Sequence, residues 1–230
     1  MMKSPKFSPA NATSPHASGN AKGKLLDAAL HTIREKGYSG TSVDELCAAA
    51  GVTKGAFFHH FASKEQLAVA AADYFSSRAA VMFSEEPHRN LPDPVDRLLA
   101  YIDQRIELMR GELPEYTCLL GTMVQETYQT HPAIREACSK AIFDHAGWLE
   151  ADIREAMLGL NTRAEWTAQS LSAHITSVIQ GAFILAKAQY SWQVALESLD
   201  HLRRYIEMLF ERPSNWQQRP QNNVQRGMRE

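Results

Sequence analysis

Hydrophobic positions along this chain recur with the period of helices and nowhere with the alternation of strands. From Asn20, a candidate N-cap, apolar residues fall at Leu26, Ala29, Leu30 and Ile33, the i, i+3, i+4, i+7 stripe of an amphipathic helix. Gly37 stops that helix, with Lys36 in its last turn. Thr41 or Ser42 opens a second helix, and Glu45 stands three residues after Ser42 as in a capping box. Gly51 ends this helix, and Thr53 caps a third that runs to about His60. Ser63 caps a long fourth helix with Leu67, Ala71, Tyr74, Arg78 and Val81 along one side. Arg78 is the one ionisable member of that stripe, so its charge has to snorkel or find a partner.

Pro87, Pro92 and Pro94 punctuate the chain and mark a domain junction. Beyond them the pattern predicts helices over 93–110, 115–129, 132–158, 163–189 and 192–211, so the fold class is all-α. Residues 1–20, rich in Ser, Pro, Ala and Asn, read as a disordered tail, and the polar residues 213–230 as a flexible one.

Composition narrows the class. Hydrophobic residues at 44% and charged residues at 22% are ordinary for a soluble globular protein. No apolar run approaches the roughly 18 residues that span a bilayer, and no signal-peptide pattern opens the chain. Cys47, Cys118 and Cys138 have neither disulfide nor zinc-site spacing, which predicts reduced thiols, a cytoplasmic protein, no bound metal and no cofactor. The net charge of −2 conceals an asymmetry: residues 1–64 carry eight Lys or Arg against four acids. A basic N-terminal part suits a polyanionic partner, although an excess of four is a modest signal.

The stretch TSVDELCAAAGVTKGAFFHHFASK, residues 41–64, carries the chemistry. Two short helices joined by a tight turn at Gly51 make a helix-turn-helix. Val43, Leu46 and Val52 would fix the crossing of the two helices, while Phe57 and Phe61, four apart, bury the inner face of the second. Its other face offers Lys54, Ala56, Phe58, His59 and His60, donors and flat or small groups suited to a major groove. His59 and His60 are also potential metal ligands, but neighbours on a helix point about 100° apart and no third ligand stands at useful spacing.

With GYSGTSV, AGVTKGAFFHHF and SKEQL in order between Lys24 and Leu67, the chain resembles the tetracycline-repressor (TetR) family. The resemblance implies an N-terminal helix-turn-helix domain at 21–66 and a helical effector-binding and dimerisation domain at 67–212. It further implies a transcriptional regulator, a repressor by default, whose DNA binding is relieved by a small-molecule or electrophile effector. Its partners would be a palindromic double-stranded DNA operator and a second copy of the chain, with no membrane. Carried over position by position, Lys24, Thr41, Ser42, Thr53 and Lys64 are expected at phosphates, and Lys54, Gly55, Ala56, Phe58, His59 and His60 at or beside base edges. Phe58 departs from the tyrosine usual in the family, so a hydroxyl contact is lost while stacking or thymine-methyl contact stays open. Simple packing is the alternative for Phe58, and capping alone for Thr53.

The resemblance also implies a two-fold dimer. Leu171, Ile175, Val178, Ala182 and Leu185 form one apolar stripe beside a row of Ser170, Ala173, Ser177 and Gly181. Ala195, Leu199, Leu202, Ile206 and Leu209 form another. Together they would build a four-helix bundle across the axis, or else fill the monomer's own core. Candidate effector contacts are Tyr101, Arg105, Cys118, Met123, Phe143, Trp148 and His174, with Met109, Tyr128 and Met157 beside them; each has an ordinary core role as its alternative. Cys118, in YTCLLGTMVQE, resembles a family position where a thiol at a helix start can react with electrophiles. Thr117 replaces the usual glycine and no base lies within four residues, so an inert thiol is the competing reading. Two rival classes remain: a DNA-bound protein that recruits a partner instead of sensing a ligand, and an all-α enzyme. For the latter no nucleophile–base pair, phosphate loop or carboxylate cluster stands at suggestive spacing.

Overall fold

The computed structural model describes residues 20–84, 87–109, 111–160 and 165–213. The expected tails at 1–20 and 213–230 therefore lie almost wholly outside the described residues. Among the described residues ten α-helices follow in order: α1 Ala21–Lys36, α2 Val43–Ala50, α3 Lys54–His60, α4 Lys64–Ser84, α5 Pro94–Leu108, α6 Leu113–Tyr116, α7 Leu119–Thr127, α8 Pro132–Met157, α9 Ala168–Gln189 and α10 Gln193–Leu209. No strand occurs among the described residues.

The helix ends are where local chemistry put them. Asn20 Oδ1 accepts the amide of Gly23 at 2.8 Å to start α1. Ser42, not Thr41, caps α2, and its capping box with Glu45 is complete. The Glu45 carboxyl is held down to about 2 by the Ser42 amide, Lys36 and the Ser42 hydroxyl. Gly51 closes α2 in the left-handed region at φ 63°, a conformation cheap only without a Cβ. Asp93 caps α5 ahead of Pro94, whose missing N–H costs nothing at a helix start.

One prediction needs correction. The single helix expected over 115–129 is two, because Thr117 and Cys118 adopt extended backbone between α6 and α7. Cys118 is the N-cap of α7, its Sγ accepting the Gly121 amide at 3.4 Å.

The described residues form two compact units, one running to Arg78 together with Cys118–Ala141, the other Ala79–Thr117 together with the residues from Ile142 on. In the first, α1 packs on α2, α3 and α7 around Leu25, Ile33, Leu46, Phe57 and Leu67, all but sealed from solvent. The charge of Arg78 finds its partner here: Nη1 meets Asp27 Oδ1 at 3.1 Å, and the Tyr74 hydroxyl donates to the same oxygen.

In the second unit α10 packs on α9 and on α5. Leu171, Ile175 and Ala182 of α9 are buried, as are Ala195, Leu199, Leu202 and Ile206 of α10. Most of each predicted stripe therefore fills this unit's core. α9 also amends the expectation about apolar runs, since by length and composition it could cross a bilayer. Core helices of water-soluble folds pass the same test, and α9 buries one regular face against its own unit. Asp152, buried, pairs with Arg97 at 2.9 Å and with Arg89.

Candidate nucleic-acid interface

The short helix α3 is set in place from beneath. Phe57 has no exposed surface, and Phe61 is buried beside it at 6.0 Å between ring centroids. Because side chains one position along a helix point about 100° away, fixing Phe57 inward leaves Gly55, Phe58 and His59 turned away from it, while Lys54, three residues before Phe57, is exposed at the helix start. All four are exposed, Phe58 to 55%. An aromatic ring so exposed on a seven-residue helix has no packing role to explain it, apart from an edge contact to Phe57 at 5.1 Å.

Thr53 caps α3 by accepting the Ala56 amide at 3.1 Å and remains exposed beside the helix start. Ser42 is exposed at the start of α2. Lys54 Nζ meets Asp44 Oδ1 at 2.7 Å, an exposed pair bridging α2 and α3 that raises the lysine's pKa through its hydrogen bond and charge. His60 is half-buried, its ring 4.9 Å from that of His59. Lys24 is exposed on α1, where with Asp27, His31 and Ala49 it edges a shallow groove.

Two expected phosphate contacts have other partners. Thr41 is 1% exposed and its hydroxyl donates to Gly37 O at 2.7 Å, so the structure withdraws it from the surface. Lys64 is half-buried over the Tyr38 ring at 4.2 Å. Its ammonium donates to Tyr38 O at 3.0 Å and Thr41 O at 2.9 Å, and burial lowers its pKa. Both residues buttress the turn between α1 and α2.

The expected effector residues divide. Tyr101 and Arg105 come together in the second unit with Phe83, His145 and Trp148, of which Phe83 and His145 were not anticipated. Arg105 Nε donates to the Tyr101 hydroxyl at 2.9 Å, and Nη2 reaches His145 Nε2 at 3.0 Å. The Tyr101 hydroxyl lies 2.9 Å from the same His145 nitrogen. The guanidinium carbon sits 4.2 Å from the Phe83 ring centre. Burial, with the Arg105 charge, holds His145 down to about 3, so the ring is neutral and Nε2 accepts. Met109 is buried in this unit. Phe143 is 65% exposed, and His174 is exposed with its ring edge-on to Tyr205 at 5.4 Å, so neither is a core residue. Cys118 and Met123 belong to the first unit, Met123 fully buried. Cys138, also there, is pushed up to about 12 by burial and the charge of Cys118.

These features define a helix-turn-helix DNA-binding protein with a separate helical unit. Residues 25–71 match the model of bacterial regulatory proteins of the tetR family, and residues 94–201 match the C-terminal domain of LmrA/YxaF-like transcriptional regulators. The chain belongs to the TetR family of transcriptional regulators. It is 26% identical to the HTH-type transcriptional repressor DhaR of Mycobacterium sp. (strain GP1), over 81% of this chain and 89% of that protein. It is equally 26% identical to the HTH-type transcriptional regulator LmrA of Bacillus subtilis (strain 168), over 73% and 87%. Among solved structures, a TetR transcriptional regulator from Chloroflexus aurantiacus J-10-FL superposes with a TM-score of 0.70 at 26% identity, over 81% of this chain and 93% of the other. A TetR-family regulator from Agrobacterium tumefaciens shares the fold with a TM-score of 0.72 at 18% identity, over 80% and 96%. The chain is thus a DNA-binding transcriptional regulator of a family whose members act as dimers on DNA operators.

Proposed function

We propose that this regulator is a cytoplasmic repressor that binds a palindromic operator as a homodimer and is released by a small-molecule effector held in the second unit. The observation that carries the DNA half is the outward line of Lys54, Gly55, Phe58 and His59 on a helix anchored by buried Phe57. Lys54 and Phe58, four apart, suit base edges, whereas Thr53, Ser42 and Lys24 suit phosphates. A two-fold dimer would set two such helices roughly 34–36 Å apart, or a multiple of that, which is why the operator should be palindromic.

The dimer face we assign lies on the outer sides of α9 and α10. Ile184, Leu185, Tyr205 and Met208 are exposed there, and Ala173 and Ser177 are small enough for close helix approach. For release, Phe83 in the last turn of α4 touches Tyr101 and His145. Residues 64–78 of the same helix belong to the unit that carries α3. A ligand that binds differently to two settings of α4 would therefore shift operator affinity.

The test is a gel-shift titration with DNA from around the protein's own gene at two salt concentrations. It would be joined to sedimentation of the free protein and of Met208→Glu. Tight, salt-sensitive binding by a dimer that the glutamate splits supports the proposal. A monomer, or binding without sequence preference, overturns it. An added electrophile, with Cys118→Ser as control, distinguishes thiol modification at the α7 N-cap from reversible ligand binding.

A further inference from the structure

Arg105 is placed unlike six of the other arginines. Arg78, Arg89, Arg97, Arg154, Arg203 and Arg212 each pair with a carboxylate. No carboxylate pairs with Arg105 among the described residues. Its neighbours are a phenol oxygen, a ring nitrogen and two aromatic faces, those of Phe83 and Tyr101 at 4.2 and 5.2 Å. None of these carries a negative charge, and the one titratable base among them is held neutral. A half-buried guanidinium with a fork of donors and only neutral partners keeps an uncompensated positive charge, and its rings hold it in one orientation.

A second observation is independent of the charge. Among the described residues of this unit, two buried side-chain atoms lack a hydrogen-bond partner: Gln104 Oε1, on α5 next to Arg105, and the Tyr116 hydroxyl on α6. Buried polar atoms are nearly always paired with protein, water or a ligand, so these two take a partner that the protein's own groups do not supply. Tyr116 stands against Phe183 at 6.2 Å, an apolar wall rather than a polar one.

We infer that the effector of this regulator is a small organic acid, its carboxylate received by the Arg105 guanidinium beside the Tyr101 hydroxyl. The inference rests on the ligand-release reading above and names the chemical class that reading left open. Guanidinium and carboxylate match as two parallel N–H···O bonds, and the Phe83 and Trp148 rings suit the acid's apolar body.

The experiment is a thermal-unfolding titration of the full chain, free of DNA, with benzoate and hexanoate against benzamide and hexanamide. The pairs differ in charge and hardly in shape. At about ten times its Kd a ligand raises the midpoint by about 3 °C or more. We expect at least one acid to do so at a concentration tenfold below that its amide needs. Arg105→Gln should abolish that preference, and Arg105→Lys should weaken it while keeping its sign. Equal response to acid and amide, a preference that survives in Arg105→Gln, or no response to either acid would each overturn the inference. Should the glutamine variant not fold, as circular dichroism would report, the unmodified chain and the lysine variant decide. Operator binding without ligand is measured separately, so loss of DNA recognition and loss of acid recognition are told apart.

Discussion

The Glu126 carboxylate, near the end of α7, accepts the amide of Ser39 at 2.8 Å and that of Tyr38 at 3.2 Å. Those amides belong to the turn that leads from α1 into the helix-turn-helix. Gly37 makes the approach possible: at φ 82° it is left-handed, and a Cβ there would lie 2.2 Å from a Glu126 oxygen. His131 completes the clamp with an edge contact to Tyr38 at 5.1 Å.

The clamp predicts a coupled pair of variants. Glu126→Ala removes two charge-assisted bonds at a partly exposed site and should cost about 1–2 kcal/mol of stability in the first unit. Gly37→Ala should cost about as much, through positive φ and by displacing the carboxylate. In the double variant the displaced group is gone, so denaturant midpoints should fall by less than the sum of the single effects. Strict additivity would show that Glu126 and the turn do not communicate.

Gly51 isolates backbone strain from crowding. A Cβ added at this residue meets nothing within 4 Å, yet φ is 63°. Gly51→Ala should therefore lose about 1 kcal/mol, and Gly51→Asn clearly less, because asparagine tolerates the left-handed region. Equal losses in urea unfolding would contradict this account.

Neighbouring phenylalanines on α3 should behave oppositely. Phe57→Ala empties a fully buried site and should cost about 3–5 kcal/mol. Phe58→Ala, at a 55% exposed ring, should shift stability by no more than about 0.5 kcal/mol while weakening operator binding. Thermal unfolding beside gel shifts separates the two, and a Phe58 variant with unchanged affinity would remove that ring from the interface.

The contrast between those residues was readable in the sequence because it is local: caps, the 3.6 period and the Phe57–Phe61 spacing determine which side of α3 faces in. The same local signals located α1 to α4 and the Arg78 problem. They did not reach contacts made at a distance along the chain. Nothing near Glu126 marks it as a partner of Tyr38, 88 residues away. His145 carried no local sign of meeting Arg105, and an apolar stripe on α9 looks the same whether its partner is α10 or another subunit. The break at Thr117 and Cys118 was missed because neither glycine nor proline marks it.

Lys64 and Lys54 separate structure from recognition. Lys64→Ala loses two carbonyl contacts and an aromatic face and should cost about 1–2 kcal/mol. With its ammonium turned onto backbone, the slope of log K against log salt should change by less than about one. Lys54→Ala should leave stability nearly unchanged and alter which base pairs are tolerated, since its pair with Asp44 is exposed. If Lys64→Ala left stability untouched and flattened the salt slope, the lysine would be a phosphate contact after all.

His145 gives the second unit a pH response whose sign is determined. Its folded value, about 3, lies below the ordinary 6.5, so the unfolded chain takes up this proton first as pH falls. The contribution of the neutral ring is complete above about pH 6.5 and is lost progressively from there toward about pH 3. His145→Gln keeps a polar group without the titration, so its unfolding midpoint should fall less steeply between pH 6.5 and 5 than that of the unmodified chain. An organic acid on Arg105 would add a negative charge beside this ring and favour its protonated form, so bound acid should make the same decline shallower. If acid left the slope of the unmodified chain unchanged while still raising its midpoint, the carboxylate would lie elsewhere than between Arg105 and His145.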